Sequence, residues 1–220
     1  MSTFQKIHTE AKKYFKNARG SHDFDHVERV LKMAIHIGKK EKANGHKVDL
    51  EILKIAAILH DISRQDQDHQ KGKTDHAQEG AQEAKKILEK HGIAPKKITQ
   101  IIHCIETHRF RSSIKPQTLE AKILFDADKL DSIGAIGIGR AFLFAGEIKA
   151  KLHNTGKSDT EILKTREYGQ DDSAYREFLI KLRHIKSRMQ TKTGKQLAKS
   201  RHDFMVDFFK RMKKEINLVN

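Results

Sequence analysis

The richest chemistry in this chain sits at His60 and Asp61, adjacent residues at the end of its least polar stretch. Over residues 50–61 Ile52, Leu53, Ile55, Ala56, Ala57, Ile58 and Leu59 leave a helix almost no polar face, so it must be buried on most sides. An ionised carboxylate at the C-terminal end of such a helix is costly. Burial penalises the charge, and the helix dipole is negative at that end. A divalent cation would offset both terms and use both side chains. Without one, His60 needs a backbone carbonyl, and Asp61 needs a capping role or an arginine such as Arg64. His26 is the second signal. It lies one turn before Val30, in line with Met33 and Ile37, and so points along a buried face, as a ligand or as a core histidine with a hydrogen-bond partner. The third is Asp126, Asp128 and Asp131, directly after Ile123, Leu124 and Phe125. Asp128 and Asp131 share a helix face, with Lys129 between them as a partial counter-ion. At least one of these acids is forced inward, and the others can remain solvated. Two histidines and two aspartates from three helices form a mixed nitrogen and oxygen donor set. Such a set suits Mn, Fe, Co, Ni or Zn better than Mg, and a cation held there makes its water acidic near neutral pH.

The elements that must position these groups are helices. Apolar spacing predicts them over residues 26–43, 50–61, 75–91, 95–108 (with Pro95 in the first turn) and 118–131. A glycine-interrupted apolar stretch then reaches Phe144, and two further helices between about residues 171 and 218 break near 191–194. Residues 65–73, 109–116 and 154–158 read as loops. Residues 1–16 mix charges with scattered apolar side chains and carry no secretory signal. Gly134, Gly137 and Gly139 have no strand before them and no lysine-threonine after them, so close helix packing explains them better than a phosphate loop. With no strand series and no repeat, the expected fold is an all-α single domain over residues 1–220, its core at 20–145 and C-terminal helices at 159–218 packed on it.

Composition narrows the function classes. The chain has 220 residues, 44 Lys and Arg against 29 Asp and Glu, and a net charge of +15. Such a field attracts anions, although solvated helix-surface lysines account for most of it. A basic nucleic-acid-binding protein is the competing class, but no recognition motif or aromatic platform supports it. The single cysteine, Cys104, excludes a disulfide framework and a Cys-rich zinc module and fits the reducing cytoplasm. It reads as a small core residue. No run approaches the ~20 apolar residues of a membrane span.

His26, the His60-Asp61 pair and an aspartate within residues 126–131 (DADKLD) resemble the H…HD…D pattern of the HD superfamily of metal-dependent phosphohydrolases. The surrounding sequence extends the likeness. Residues 21–30 (SHDFDHVERV) resemble the first motif of the family and 56–62 (AAILHDI) the second. Residues 75–81 (DHAQEGA), 107–111 (THRFR), 119–140 (LEAKILFDADKLDSIGAIGIGR), 193–195 (TGK) and 201–205 (RHDFM) resemble a single-domain bacterial branch, so the similarity covers about residues 20–215.

The resemblance implies a helical bundle with one metal-centred pocket. His26, His60, Asp61 and Asp128 would be the ligands, with Asp126 and Asp131 beside them. The cation would be one divalent transition metal, manganese first, with Ni, Co, Fe or Zn as alternatives. Metal-activated water would attack phosphorus, while Arg29, Arg64, Arg109 and Lys129 hold phosphate oxygens. His76 and His108 would contact the substrate phosphate, or hold a second metal. Some relatives carry a glutamate soon after the HD pair. Here Ile62, Ser63, Arg64 and Gln65 follow, which leaves Asp61 or Asp131 as the general base. The implied substrate is a small phosphorylated metabolite, a nucleotide first, cleaved from triphosphate to monophosphate and pyrophosphate. A nucleotide monophosphatase, or a phosphodiesterase on signalling nucleotides, is the alternative. An oxygenase on the same fold would need two irons and both His76 and His108. Oligomeric state is left open.

Overall fold

The structure is a computed structural model that describes residues 1–65, 76–109, 114–169 and 171–218, except for the side chain of His76. The expectation placed on His76 therefore lies outside the described residues, as do most of the loop at 65–73 and residues 110–113 of the basic connector. Among the described residues the fold is all helical, with ten α-helices, three short 3-10 turns and, in place of any strand, one isolated bridge between Lys151 and Ser173. No described helix is long and apolar enough to cross a membrane. The chain forms two compact units, Met1–Asp128 with Gln190–Gly194, and Lys129–Met189 with Lys195–Asn220.

In the first unit the helices are α1 (Thr3–Lys13), α2 (Phe24–Ala43), α3 (Leu50–Leu59), α4 (His76–Lys90), α5 (Pro95–Thr107) and most of α6 (Leu119–Leu130). Helix α3 is the centre of this unit and packs on α1, α2 and α5, while α4 packs on α5. Its start is fixed by Asp49, whose carboxylate accepts from the Glu51 and Ile52 amides at 2.9 and 3.2 Å. Ile52, Leu53, Ile55, Ala56, Ala57, Ile58 and Leu59 are all buried, and each isoleucine or leucine contributes about 1.5–3 kcal/mol. Asp23 caps α2 by accepting from the His26 amide at 3.1 Å, and Pro95 opens α5.

The second unit holds α7 (Gly134–Glu147), α8 (Asp159–Leu163), α9 (Ala174–Ile180) and most of α10 (Lys192–Ile216). Helix α9 packs on α7 and α8, and Phe178 stacks on Phe209 of α10 with ring centroids 4.4 Å apart. The glycine run of α7 is close-packed at one position. A Cβ at Gly137 would collide with the Ser132 carbonyl, whereas Gly139 faces open space.

The all-α expectation holds, with three differences. Helices α1 and α8 have clear capping boxes, Ser2 with Gln5 and Ser158 with Glu161, and periodicity alone passed over both. The break in the C-terminal region lies earlier than expected. Helix α9 stops at Ile180, 3-10 turns follow at Leu182–His184 and Lys186–Arg188, and residues 191–194 begin α10 rather than interrupt it. There the Thr191 hydroxyl accepts from the Gly194 amide at 2.9 Å, a helix cap written in residues that read as a turn.

Candidate metal centre

Helix ends build the site. His60 is the C-cap of α3 and His108 the C-cap of α5. The last turn of a helix leaves carbonyls without amide partners, and an imidazole can satisfy one. His60 Nδ1 donates to the Ala57 carbonyl at 2.8 Å, and His108 Nδ1 to the Ile105 carbonyl at 2.6 Å. A carbonyl only accepts, so Nδ1 carries the hydrogen in both rings and each Nε2 is turned off its helix end. His26 enters from the first turn of α2. Its Nε2 stands 3.3 Å from His60 Nε2, and the two rings meet at 66° with centroids 5.3 Å apart.

The carboxylates close the group. Asp61 Oδ2 is 3.7 Å from His26 Nε2 and 3.8 Å from His60 Nε2, and its Oδ1 is 3.3 Å from His108 Nε2. Asp128 Oδ1, from the last turn of α6, is 3.5 Å from His26 Nε2. His26, His60 and Asp128 offer ligand atoms that all lie within 4.8 Å of one another, and all three residues are buried. Burial drives the His60 imidazole down to about 4, against the pull of Asp61 and Asp128. At neutral pH His60 is therefore uncharged, and its Nε2 presents a lone pair to a second imidazole and two carboxylates. Such a constellation of nitrogen and oxygen donor atoms favours positive charge at its centre. The donor set fits a divalent transition metal, with Nδ1 of His60 already fixed by a carbonyl, as ligating histidines usually are.

A family model described as HD domain matches residues 23–133, which span His26, the His60-Asp61 pair and Asp128. This chain belongs to the HD domain family. The uncharacterized protein YpgQ of Bacillus subtilis is 35% identical over 216 residues, covering 96% of this HD protein and 93% of the relative. The crystal structure of B. subtilis YpgQ in complex with ADP has a TM-score of 0.71 and 31% identity, over 97% of each chain. An HD-superfamily hydrolase from Bacillus thuringiensis has a TM-score of 0.72 and 27% identity, over 97% of this chain and 96% of that one.

The other candidate residues of this HD domain protein belong to both units. The Arg64 guanidinium lies 3.2 Å from His22 Nε2, and the His22 ring meets the His26 ring edge-on at 6.4 Å. The sequence places His22 and Asp23 at the start of the first motif, to cap the helix or line the pocket; Asp23 is the cap, and His22 ends the 3-10 turn before it. Arg29 is half-buried one turn after His26, and Arg109 is half-buried just past α5. Within the second unit Lys129 is buried, and Asp131 Oδ2 accepts from Arg140 at 3.0 Å. Asp126 is buried too, but its carboxylate turns to the Gln190 and Thr191 amides, both at 2.7 Å. Cys104 is a core residue, and burial pushes its thiol up to about 12, so it stays unreactive.

Proposed function

We propose that this HD domain protein is a metal-dependent phosphohydrolase that cleaves a nucleoside triphosphate to the monophosphate and pyrophosphate. His26, His60, Asp61 and Asp128 would hold one divalent cation, manganese first. The observation that carries this reading is the buried convergence of His26, His60 and Asp128, whose ligand atoms lie within 4.8 Å of one another, with Asp61 Oδ2 beside both imidazoles. A bound cation supplies Lewis acidity and a water acidic enough to ionise near neutral pH. The protein supplies the rest. The Ala57 carbonyl fixes the His60 ring, and the Ile105 carbonyl fixes the His108 ring against Asp61 Oδ1. Asp61 is the better general base of the two candidates, because Asp131 is engaged by Arg140. Arg64, steadied by His22, leads the groups assigned to phosphate oxygens, followed by Arg29, Arg109, Lys129, His76 and His108. ADP bound in the crystal structure of B. subtilis YpgQ supports a nucleotide over other phosphoesters. The net charge of +15 favours encounter with a polyanion, and the lone, buried Cys104 suits the cytoplasm.

The test is a panel of nucleotides and phosphoesters assayed with Mn²⁺, Co²⁺, Ni²⁺ and Mg²⁺, separating phosphate from pyrophosphate release. We expect equimolar monophosphate and pyrophosphate from a triphosphate. With His60→Ala the rate should fall on the order of 10³-fold, the scale of losing several kcal/mol of transition-state stabilisation. Turnover of none of these compounds, or undiminished turnover by His60→Ala, would end this reading.

A further inference from the structure

Two buried carboxylates outside the histidine cluster grip the same short segment. Asp126, fully buried in α6, accepts from the Gln190 amide through Oδ1, and from the Thr191 amide and hydroxyl through Oδ2, all at 2.7 Å. Glu41, buried near the end of α2, accepts from the Thr193 amide at 3.0 Å and hydroxyl at 2.5 Å through a single oxygen, Oε1. Burial pushes the Glu41 carboxyl up, but the Thr193 bonds outweigh it and hold the group below its ordinary range. Five hydrogen bonds thus converge on residues 190–193, at the start of α10, where the helix dipole favours negative charge. Contact is close as well as polar, since a Cβ on Gly194 would overlap the Asp126 carboxylate.

The two gripping helices are the two that present cluster residues by their own length. Asp126 stands two residues before Asp128 on α6, and Glu41 shares α2 with His26. Asp128 and His26 are 3.5 Å apart, and a coordination sphere tolerates only a few tenths of an ångström in each ligand distance. Segment 190–194, part of the same compact unit, is the peg on which both helices are hung.

We propose that Asp126 and Glu41 are positioning residues, which set the spacing of Asp128 and His26 for cation binding by clamping Gln190–Gly194 between α6 and α2. The proposal rests on the metal-site reading above. It predicts that metal affinity, and not fold stability alone, depends on a segment about 60 residues downstream of the last ligand.

The decisive measurement is calorimetric titration of metal-free protein with Mn²⁺, at a temperature where far-UV circular dichroism shows each variant to be folded. Asp126→Asn keeps the shape but turns an amide N–H₂ towards donors. It should weaken Mn²⁺ binding ~10–100-fold, the usual cost of losing a group that orients a ligand. Gly194→Ala removes no hydrogen-bonding group but displaces Asp126, so it should weaken binding in the same direction. Glu41→Gln retains an acceptor oxygen for Thr193 and should bind like the native chain, whereas Glu41→Leu should not. If Asp126→Asn does not fold, Gly194→Ala and Thr193→Val carry the same readout. Native-like affinity in the folded members of this set, with strong binding by the native protein, would overturn this proposal and leave the metal site standing. A native protein that binds none of Mn²⁺, Co²⁺ or Ni²⁺ would overturn both.

Discussion

Asp126 and Asp128 are two residues apart on one helix, both buried, yet their surroundings are opposites. The oxygens of Asp126 meet three donors, two amides and a hydroxyl. Asp128 faces His26, whose Nε2 also confronts His60 Nε2 and Asp61. A buried carboxylate met by donors is complete, and its negative charge strengthens each bond it accepts. One set beside imidazole nitrogens and a second carboxylate, as Asp128 is, has donor atoms placed to share a cation. The difference separates an acid that builds the scaffold from an acid that serves the site. The apolar run alone does not tell the two aspartates apart; the resemblance to the HD pattern singles out Asp128, and the structure shows what Asp126 does instead.

Substitution in metal-free protein is the most direct way to break this comparison. Asp126→Ala strands the buried Thr191 amide and hydroxyl, each costing about 1–3 kcal/mol when unmet, together with the part-buried Gln190 amide, and should give the largest loss of stability of any single change discussed here. Urea unfolding with chelator present measures it. Asp128→Asn under the same conditions should leave the midpoint unchanged or raise it, because the new amide can donate towards His26. Added Mn²⁺ should then stabilise the native chain, by about 2.7 kcal/mol at a hundredfold excess over the dissociation constant, and fail to stabilise Asp128→Asn. Equal destabilisation by both substitutions without metal would erase the distinction between the two acids.

Protons sharpen it further. His60 is held down at about 4 by burial, below its ordinary value of 6.5. The unfolded chain therefore takes up this proton first. The stability that the neutral, buried ring contributes is complete above about pH 6.5 and is lost as the pH falls towards 4. Metal-free native protein should lose stability over that window, and His60→Leu should flatten that part of the curve. An unchanged slope in His60→Leu would assign the loss to other groups.

How much of this was legible in the sequence follows from the range of the forces involved. His60 and Asp61 announce themselves locally, since an apolar helix ending in two polar side chains has nowhere else to put them. His26 is fixed by its helical line with Val30 and Ile37, again a local matter. Only the family resemblance separated Asp128 from Asp126; the apolar run did not, because the groups that Asp126 holds are Gln190 and Thr191, more than 60 positions away. Glu41 was invisible for the same reason. It stands among Lys39, Lys40 and Lys42, and the Thr193 amide and hydroxyl that meet its Oε1 lie about 150 positions away. His108 was expected to contact the substrate phosphate or to hold a second metal. Its capping bond to Ile105 turns Nε2 towards Asp61, a consequence of ending α5 at Thr107 that the motif alone does not contain.

A third carboxylate sets the lower end of the scale. Asp171 lies between Lys157 and Lys151, the latter at 2.9 Å, and these two ammonium groups, Lys157 foremost, hold its carboxyl down at about 2. By sign this favours folding above the ordinary carboxylate range and fades as the pH falls through 2. The pair is exposed, however, and water and salt screen it, so a large shift in titration need not be a large term in stability. Lys157→Ala should move the Asp171 carboxyl resonance to a higher titration midpoint by NMR and leave the urea midpoint where it was. If Lys157→Ala destabilised the chain as much as Asp126→Ala does, burial would not be what gives Asp126 its weight, and the contrast between Asp126 and Asp128 would need another cause.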